Sequence, residues 1–457
     1  MATNNLKQTL DDFELQQVLF TSNRGEGLNF AIENIITDFE IFEHIDKPYL
    51  SMQMSILDTN NFVQSVDLQG GETIEITIQS TETRDNVDPI TKKFIIDKVL
   101  KSQKPDDKTE VYYLHCFEDI VLTSSLININ RYYNDTPTKI VDQILKEYLG
   151  KNVIRSLDEY QTNMQLVIPN MHPLEAAAWV KKRITSVDGF PYYLYSNLNT
   201  NDLYLIDLEQ LLRREPINKK APMTWIQSMG QQYQTDDVMP ILSYTHENVD
   251  DILTLIRSGV VGSDYNFLDT MTGKNTLCKF DVVDDVFKSL EDNTIFKKQK
   301  RYNYPTDQKV MGQNFSSYSS EIITKITSNG SYNNKNHRVR AADEEFDPIA
   351  YKKRISGHAL RNFMTKAPIT IQVNGRPFLA GTGDYTIGNV VRLLFLDSQR
   401  RSSDDINPDY KKSGDYLMCA AKHSFSVRNP NRVNTSLVCA RLAMYSDNLS
   451  VGDFINA

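Results

Sequence analysis

One succession of segments occurs twice in this chain, and it limits the fold more than any other feature. The first copy runs "VDLQGGETIEITIQ" (Val66–Gln79), "KKFIIDKVLKS" (Lys92–Ser102) and "EVYYLHCFEDI" (Glu110–Ile120). The second runs "GTGDYTIGNVVRLLF" (Gly381–Phe395), "GDYLMCAAKHSFS" (Gly414–Ser426) and "RVNTSLVCARLAM" (Arg432–Met444). Each copy is a Gly-bearing polar turn, an apolar strand, a loop, a second strand, a polar hairpin turn and a third strand. β-Meanders are common, so likeness between two of them carries little by itself. The shared order, with closely matched spacing between second and third strands, favours a duplicated β-barrel.

The second copy's turn, "AGTGDYTIG", has the glycines of a phosphate-binding loop. Such a loop must open a helix, whose free amides and positive dipole end face the anion. Here "ITIQV" precedes it and "NVVRLLF" follows, both reading as strands. The glycines are therefore expected to supply positive φ in a turn.

Between the copies the period changes from strand to helix. "DTPTKIVDQILKEYLG" has Thr136 as N-cap, Pro137 in the first helical position, Ile140, Ile144 and Leu145 on one face, and Gly150 as terminator. "HPLEAAAWVKKRITSV" (His172–Val187) reads as a second amphipathic helix, with Trp179 and Ile184 inward. "PYYLYSNLNTNDLYLIDL" (Pro191–Leu208) reads as a hairpin. The second barrel is expected to begin early, with "DILTLIRSGVVG" and "NTLCKFDVVDDVF" (Asn275–Phe287) as strands. An Asn-rich loop (Asn329–Phe346) and a helix (Asp347–Thr365) then interrupt it.

The predicted class is α+β and β-dominated: two antiparallel barrels flanking a small α/β domain. The expected division is an N-terminal arm at 1–16, a first barrel at 17–134 and an α/β domain at 135–235. A second barrel follows at 236–287 and 366–446, with an inserted loop and helical segment at 288–365 and a tail at 447–457.

A length of 457 residues suits two to four domains. With 40% hydrophobic and 24% charged residues, the composition is that of a soluble globular protein. No apolar run approaches the roughly 20 residues that span a bilayer, and the N-terminus lacks a signal-peptide layout. The net charge of -9 leaves no basic stripe to grip nucleic acid; "KKQKRYNY" (Lys297–Tyr304) reads as a solvated loop.

The candidates for chemistry are few. Cys116, Cys278, Cys419 and Cys439 lack metal or disulfide spacing and read as single thiols inside strands. His172 and Glu175 stand one helical turn apart, with nothing nearby to complete a metal site. His115 and His423 lie at similar places in the two copies, as a catalytic pair or, preferably, as polar strand ends. Asp281, Asp284 and Asp285 lack the Gly and Glu of a calcium loop. No nucleophile elbow stands out, and the sequons at Asn314, Asn329 and Asn434 mean little without secretion. No catalytic, metal or cofactor-binding residue is assigned, and no cofactor is expected.

The stretch Ile36–Gln79 resembles the first barrel of baseplate central hub proteins of T-even-like contractile-tailed phages, with Glu43, Ile45, Pro48, Asp58, Gly71 and Glu72 at matching places. His172–Gly189 with its hairpin resembles that family's middle domain, and "GTGDYTIGNVVRLLF…YLMCAAKHSF…TSLVCARL" resembles its second barrel. Lys288–Asp347 has no equivalent. The resemblance implies tail-tube-like barrels in a homotrimeric ring, a structural virion protein adapting a sixfold tail tube to a threefold spike, with DNA passing through the lumen unbound. It implies a trimeric spike of the tail-lysozyme type, tube or tube-initiator proteins, baseplate wedges and a tape measure protein as partners. The chain ends at Ala457 without a lysozyme-like domain, so the spike is expected as a separate protein. The place is the virion baseplate, after assembly in the host cytoplasm. The hub of a type VI secretion or other contractile injection device, related to VgrG spikes, and a carbohydrate-active enzyme stay open as alternatives.

Overall fold

A computed structural model describes residues 11–22, 29–81, 88–105, 108–160, 164–225, 239–247, 252–269, 273, 275–288, 290, 301–302, 308–327, 348–379, 385–396, 408–409, 411–427 and 430–444. The first part of the chain forms β1 (Phe13–Thr21), β2 (Asn29–Ala31), β3 (Ile36–His44), β4 (Ser51–Asp58), β5 (Thr73–Ser80), β6 (Ile90–Gln103) and β7 (Glu110–Glu118). They lie antiparallel in the spatial order β3-β4-β7-β6-β5-β1-β2. Strict alternation drives this: along β5, Ile74, Ile76 and Ile78 are buried while Thr73, Glu75 and Thr77 are half-exposed. β1 starts at Phe13, inside the stretch expected as an arm.

Two buried carboxylates fix the connections. Asp58 accepts from the amides of Asn60, Phe62 and Val63, holding the short helix α1 (Phe62–Val66) at the end of β4. Glu72 accepts from the amides of Gln69 and Gly70, closing the turn before β5. Both lie at positions that carry the family resemblance, and both act on the backbone.

The middle of the chain forms α2 (Asp119–Ser125), β8 (Ile129–Asp135), α3 (Pro137–Leu149), β9 (Val153–Arg155), β10 (Met164–Met171), α4 (Pro173–Lys181), β11 (Tyr192–Ser196), β12 (Leu203–Asp207) and α5 (Leu208–Leu212). α3 has the predicted limits, and Gly150 ends it at φ +64°. Thr136 precedes the helix without capping it; Glu159 instead accepts from the Thr138 amide, at 2.9 Å. Ile140, Ile144 and Leu145 share a core with Ala176, Ala177 and Val180 of α4. α4 is shorter than His172–Val187, because Thr185 and Ser186 turn aside to bridge Pro191 and Glu159. β8 pairs with β10, so residues 129–134 join this unit and not the first barrel.

The rest forms β13 (Met223–Trp225), β14 (Ser243–His246), α6 (Ile252–Arg257), β15 (Gly262–Asp269), β16 (Asn275–Asp281), β17 (Arg301–Tyr302), β18 (Lys309–Val310), β19 (Gln313–Asn314), β20 (Glu321–Thr327), α7 (Pro348–Thr365), β21 (Ile369–Asn374), β22 (Val390–Phe395), β23 (Gly414–Ser426), β24 (Arg432–Ala440) and β25 (Ala443–Met444). Ile252–Arg257, expected as a strand, is helical: Ile252, Leu255 and Ile256 recur at helical spacing, which so short an apolar run cannot distinguish from a strand. Val283–Phe287 likewise leaves β16 as a helical turn, started by Asp281 accepting from the Val283 amide. β15, expected with β16 in the second barrel, lies between β16 and β20, the latter from the expected insertion. Residues 329–346 and 380–384 lie outside the described residues.

The two halves share one plan. β5-β6-β7-β4-β3 is repeated strand for strand as β22-β23-β24-β21-β14. Gly71 (φ +89°) donates to the Ile96 carbonyl at 2.7 Å, and Ile96 donates back to Glu72 at 2.9 Å. Gly388 (φ +82°) donates to Met418 at 2.9 Å, and Met418 donates back to Asn389 at 3.0 Å. One residue later each strand bulges, at Asp97 and at Cys419, just past the matched pairs Ile96↔Cys116 and Met418↔Cys439. The described end of "AGTGDYTIG", Tyr385–Gly388, is therefore a turn leading into β22. The neighbours beyond the repeat differ: β1 runs antiparallel to β5, β13 parallel to β22.

β3 joins the halves by pairing with β23 from Ala420↔His44 to Ser426↔Asp38, giving a single 13-stranded sheet. Among the described residues the first half does not close on itself bond by bond, because the outer side of β3 is taken by β23. In the second half β13, paired with β22, also exchanges hydrogen bonds at Thr224 with Met239 and Ile241, just before β14, and Leu242 donates to Gln372 of β21.

Candidate functional site

The joint between the half-sheets sorts side chains into two kinds of row. Ile96, Cys116, Met52, Ile41, His423 and Thr435 stand directly opposite one another across β6, β7, β4, β3, β23 and β24, each at most 1% exposed. One step along, Lys98, His115, Gln53, Glu40, Ser424 and Asn434 form the opposite face, all exposed or half-exposed. The sheet thus has one face in the core and one continuous polar face, running across the joint without interruption.

Each face is pinned at the joint. In the core, His423 Nε2 lies 2.6 Å from Glu43 Oε1 and its Nδ1 lies 2.9 Å from Thr435 Oγ1. Both members of the pair are at most 2% exposed, so each needs the other in place of water. On the polar face Lys422 Nζ reaches Glu40 Oε1 at 2.9 Å, and Ser424 donates to the same oxygen at 3.1 Å. The cation at the middle of that face is therefore neutralised.

Two further charged groups fasten the α/β unit to the sheet. Lys92 on β6 is buried and donates to the Asn197 and Thr200 carbonyls and to Asn201 Oδ1 in the β11–β12 turn. Burial pushes its ammonium below the usual lysine range. Asp46, just past β3, takes Lys181 of α4 and Arg361 of α7, the latter at 3.2 Å. Burial works to raise the Asp46 carboxyl, but Arg361 and Lys181 outweigh it and hold it below its ordinary 3.8. A cavity of about 600 Å³ opens beside them, with Lys181 and Arg361 among its lining and Tyr351 and Ile323 in its walls.

The residues singled out by sequence fall elsewhere. His115 and His423 are not counterparts: His115 is on the third strand of its meander and His423 on the second, and their registers match His115 with Val438. His115 stands on the polar face, 3.3 Å from Asp97. His172 precedes α4 and contacts the Ile127 carbonyl, while Glu175 is exposed. Asp281, Asp284 and Asp285 serve the turn after β16, and Lys288 and Lys352 pair with the last two. Among the described residues no group of three His, Cys, Asp or Glu is placed to hold a metal ion. The four cysteines lie free in strands, Cys116 and Cys439 buried and Cys278 and Cys419 half-buried. Sequence reasoning missed the joint itself, since Glu43 and His423 are 380 residues apart.

No protein-family model and no curated protein matches the sequence. Several solved structures resemble it. A tail protein from Neisseria meningitidis MC58 is 11% identical, with 96% of this chain and 98% of that one covered and a TM-score of 0.47. A 43 kDa tail protein of prophage MuSo2 from Shewanella oneidensis is 12% identical, with 93% and 98% covered and a TM-score of 0.48. An E. coli component of the type VI secretion system is 9% identical, with 91% and 75% covered and a TM-score of 0.41.

Proposed function

We propose that this chain is a structural protein, the central hub of a contractile-tail baseplate, in which three copies form a ring of six half-sheets. The observation that carries this reading is the repeated plan β5-β6-β7-β4-β3 and β22-β23-β24-β21-β14 within one chain. A chain that supplies the same segment twice turns threefold symmetry into near-sixfold symmetry, as an adaptor between a sixfold tube and a threefold spike requires. The sequence resemblance of Ile36–Gln79 to hub proteins points the same way. On this reading the two half-sheets are the tube-like domains and the α/β unit lies between them. A trimeric spike and the tail tube are the axial partners, and the baseplate wedges lie around them. The polar face of the sheet turns inward. Its neutralised Lys422 suits a lumen that passes DNA without holding phosphates. The chain does its work by assembly, in the virion, without catalysis. Light scattering of the purified chain at micromolar concentration, with and without its spike, should return three times the chain mass. A monomer under both conditions overturns the reading.

A further inference from the structure

The repeat contains one completed joint and the two separate sides of a second. In the second half, Ala420–Ser426 of β23 is covered by β3. Its counterpart in the first half is the far end of β6, where every residue from Asp97 to Gln103 is exposed, Val99 at 39% and Leu100 at 46%. Among the described residues this end of β6 pairs on one side only, with β7. The counterpart of β3 is β14, which pairs with β21; on its other side Met239 and Ile241, just before it, are held by Thr224 of β13, while among the described residues no strand pairs with that side of Ser243–His246. Among the described residues the two do not meet.

We propose that Thr245–Glu247, at the end of β14 in one copy, adds, antiparallel, to the Lys101–Gln103 edge of β6 in a second copy, repeating between chains the joint that β3 and β23 make within one. This rests on the ring reading and assigns its interface. A strand with one open side is a template for another chain, and an operation applied head to tail either closes a ring or runs on as a filament.

The registers fix which residues meet. Tyr113↔Lys101 and Tyr112↔Ser102 stand where Ser436↔Lys422 and Thr435↔His423 stand, so Lys101 takes the place of Lys422 and Ser102 that of His423. His246 opposes Ile369 as Ile41 opposes Met52, and Ile369 and Met52 face the matched cysteines, so His246 takes the place of Ile41. Since β23 pairs Lys422↔Phe42 and His423↔Ile41, the new joint sets Lys101 opposite Glu247 and Ser102 opposite His246. Opposite charges thus meet directly, which favours this register. Lysines often keep an edge strand unpaired. The lysine at this place in the completed joint, Lys422, instead sits inside the pairing and is held by Glu40.

The test introduces cysteines as Ser102→Cys with His246→Cys, and in a shifted control as Leu100→Cys with His246→Cys. Mild oxidation should link the first pair between copies into a covalent species of three chains, and link neither single variant nor the shifted pair to comparable extent. In parallel, Lys101→Glu should raise the concentration at which copies separate by about tenfold, and adding Glu247→Lys should restore it. A trimer by light scattering that fails to cross-link, or that links the shifted pair equally, overturns this interface while leaving the ring. A monomer overturns both.

Discussion

At the scale of single residues, the charged groups of this protein serve mainly as fasteners between segments far apart in sequence. His423→Ala should strand the Glu43 carboxylate in the core of the joint, where its second oxygen has no partner. A loss of about 3 kcal/mol in urea unfolding is expected, with Glu43→Gln costing less because an amide still meets the imidazole. Equal, negligible losses would mean that the pair contributes nothing. Asp46 gives a pH signature. Its folded carboxyl lies below the unfolded value of 3.8, so its stabilisation is present above that value and is lost as pH falls through the folded pKa. Asp46→Asn should therefore be less stable than wild type at pH 7, with the deficit shrinking below about pH 4. A deficit constant from pH 7 to pH 3 would contradict this. Neither fastener was legible beforehand: a Glu on β3 and a His on β23 become partners through sheet pairing, which no local pattern encodes. Asp58 and Glu72, in contrast, act within five residues of themselves, and their places could be marked from sequence even though their roles could not.

At the scale of elements, local chemistry decided what could be read. α3 was legible from Thr136, Pro137 and Gly150, and the β5, β6 and β7 meander from its alternation, because those signals act within a few residues. Ile252–Arg257 was misread because six residues hold too little period, and the β15–β16 hairpin was placed without β20 because β20, the second partner of β15, lies beyond a long polar stretch. The turn glycines offer a graded test. A Cβ on Gly388 would fall 2.3 Å from Tyr195 Oη at a φ of +82°, whereas one on Gly150 meets nothing within 4 Å. Gly388→Ala should cost upwards of about 2 kcal/mol, from the clash added to left-handed strain. Gly150→Ala should cost about 1 kcal/mol, from the backbone alone. Thermal unfolding of the two variants in that order supports the packed turn; the reverse order would show that Tyr195 moves aside freely.

At the scale of the whole molecule, the polar face decides whether the proposed ring of three chains would pass DNA or grip it. Duplex DNA is held by unpaired cations that displace its counterions, and each contact adds to the salt dependence of binding. Lys422, midway across that face, is tied to Glu40, which is tied in turn to Ser424. On the proposed ring the wild type should accordingly show no salt-sensitive retention of a short duplex near physiological ionic strength. Glu40→Gln removes the counter-charge and leaves three freed lysines per ring of three. Binding should then appear at low salt, with log K falling against log salt at a slope of about -2 to -3. Replacing Lys422 by Gln in the same chain should abolish it again, which separates the freed cation from any general loosening of the joint. Fluorescence anisotropy of a labelled duplex across a salt series reads all three. Steep salt-dependent binding by the wild type would mean that the polar face holds DNA, and the inward orientation assigned to it would then have to serve gripping in place of passage.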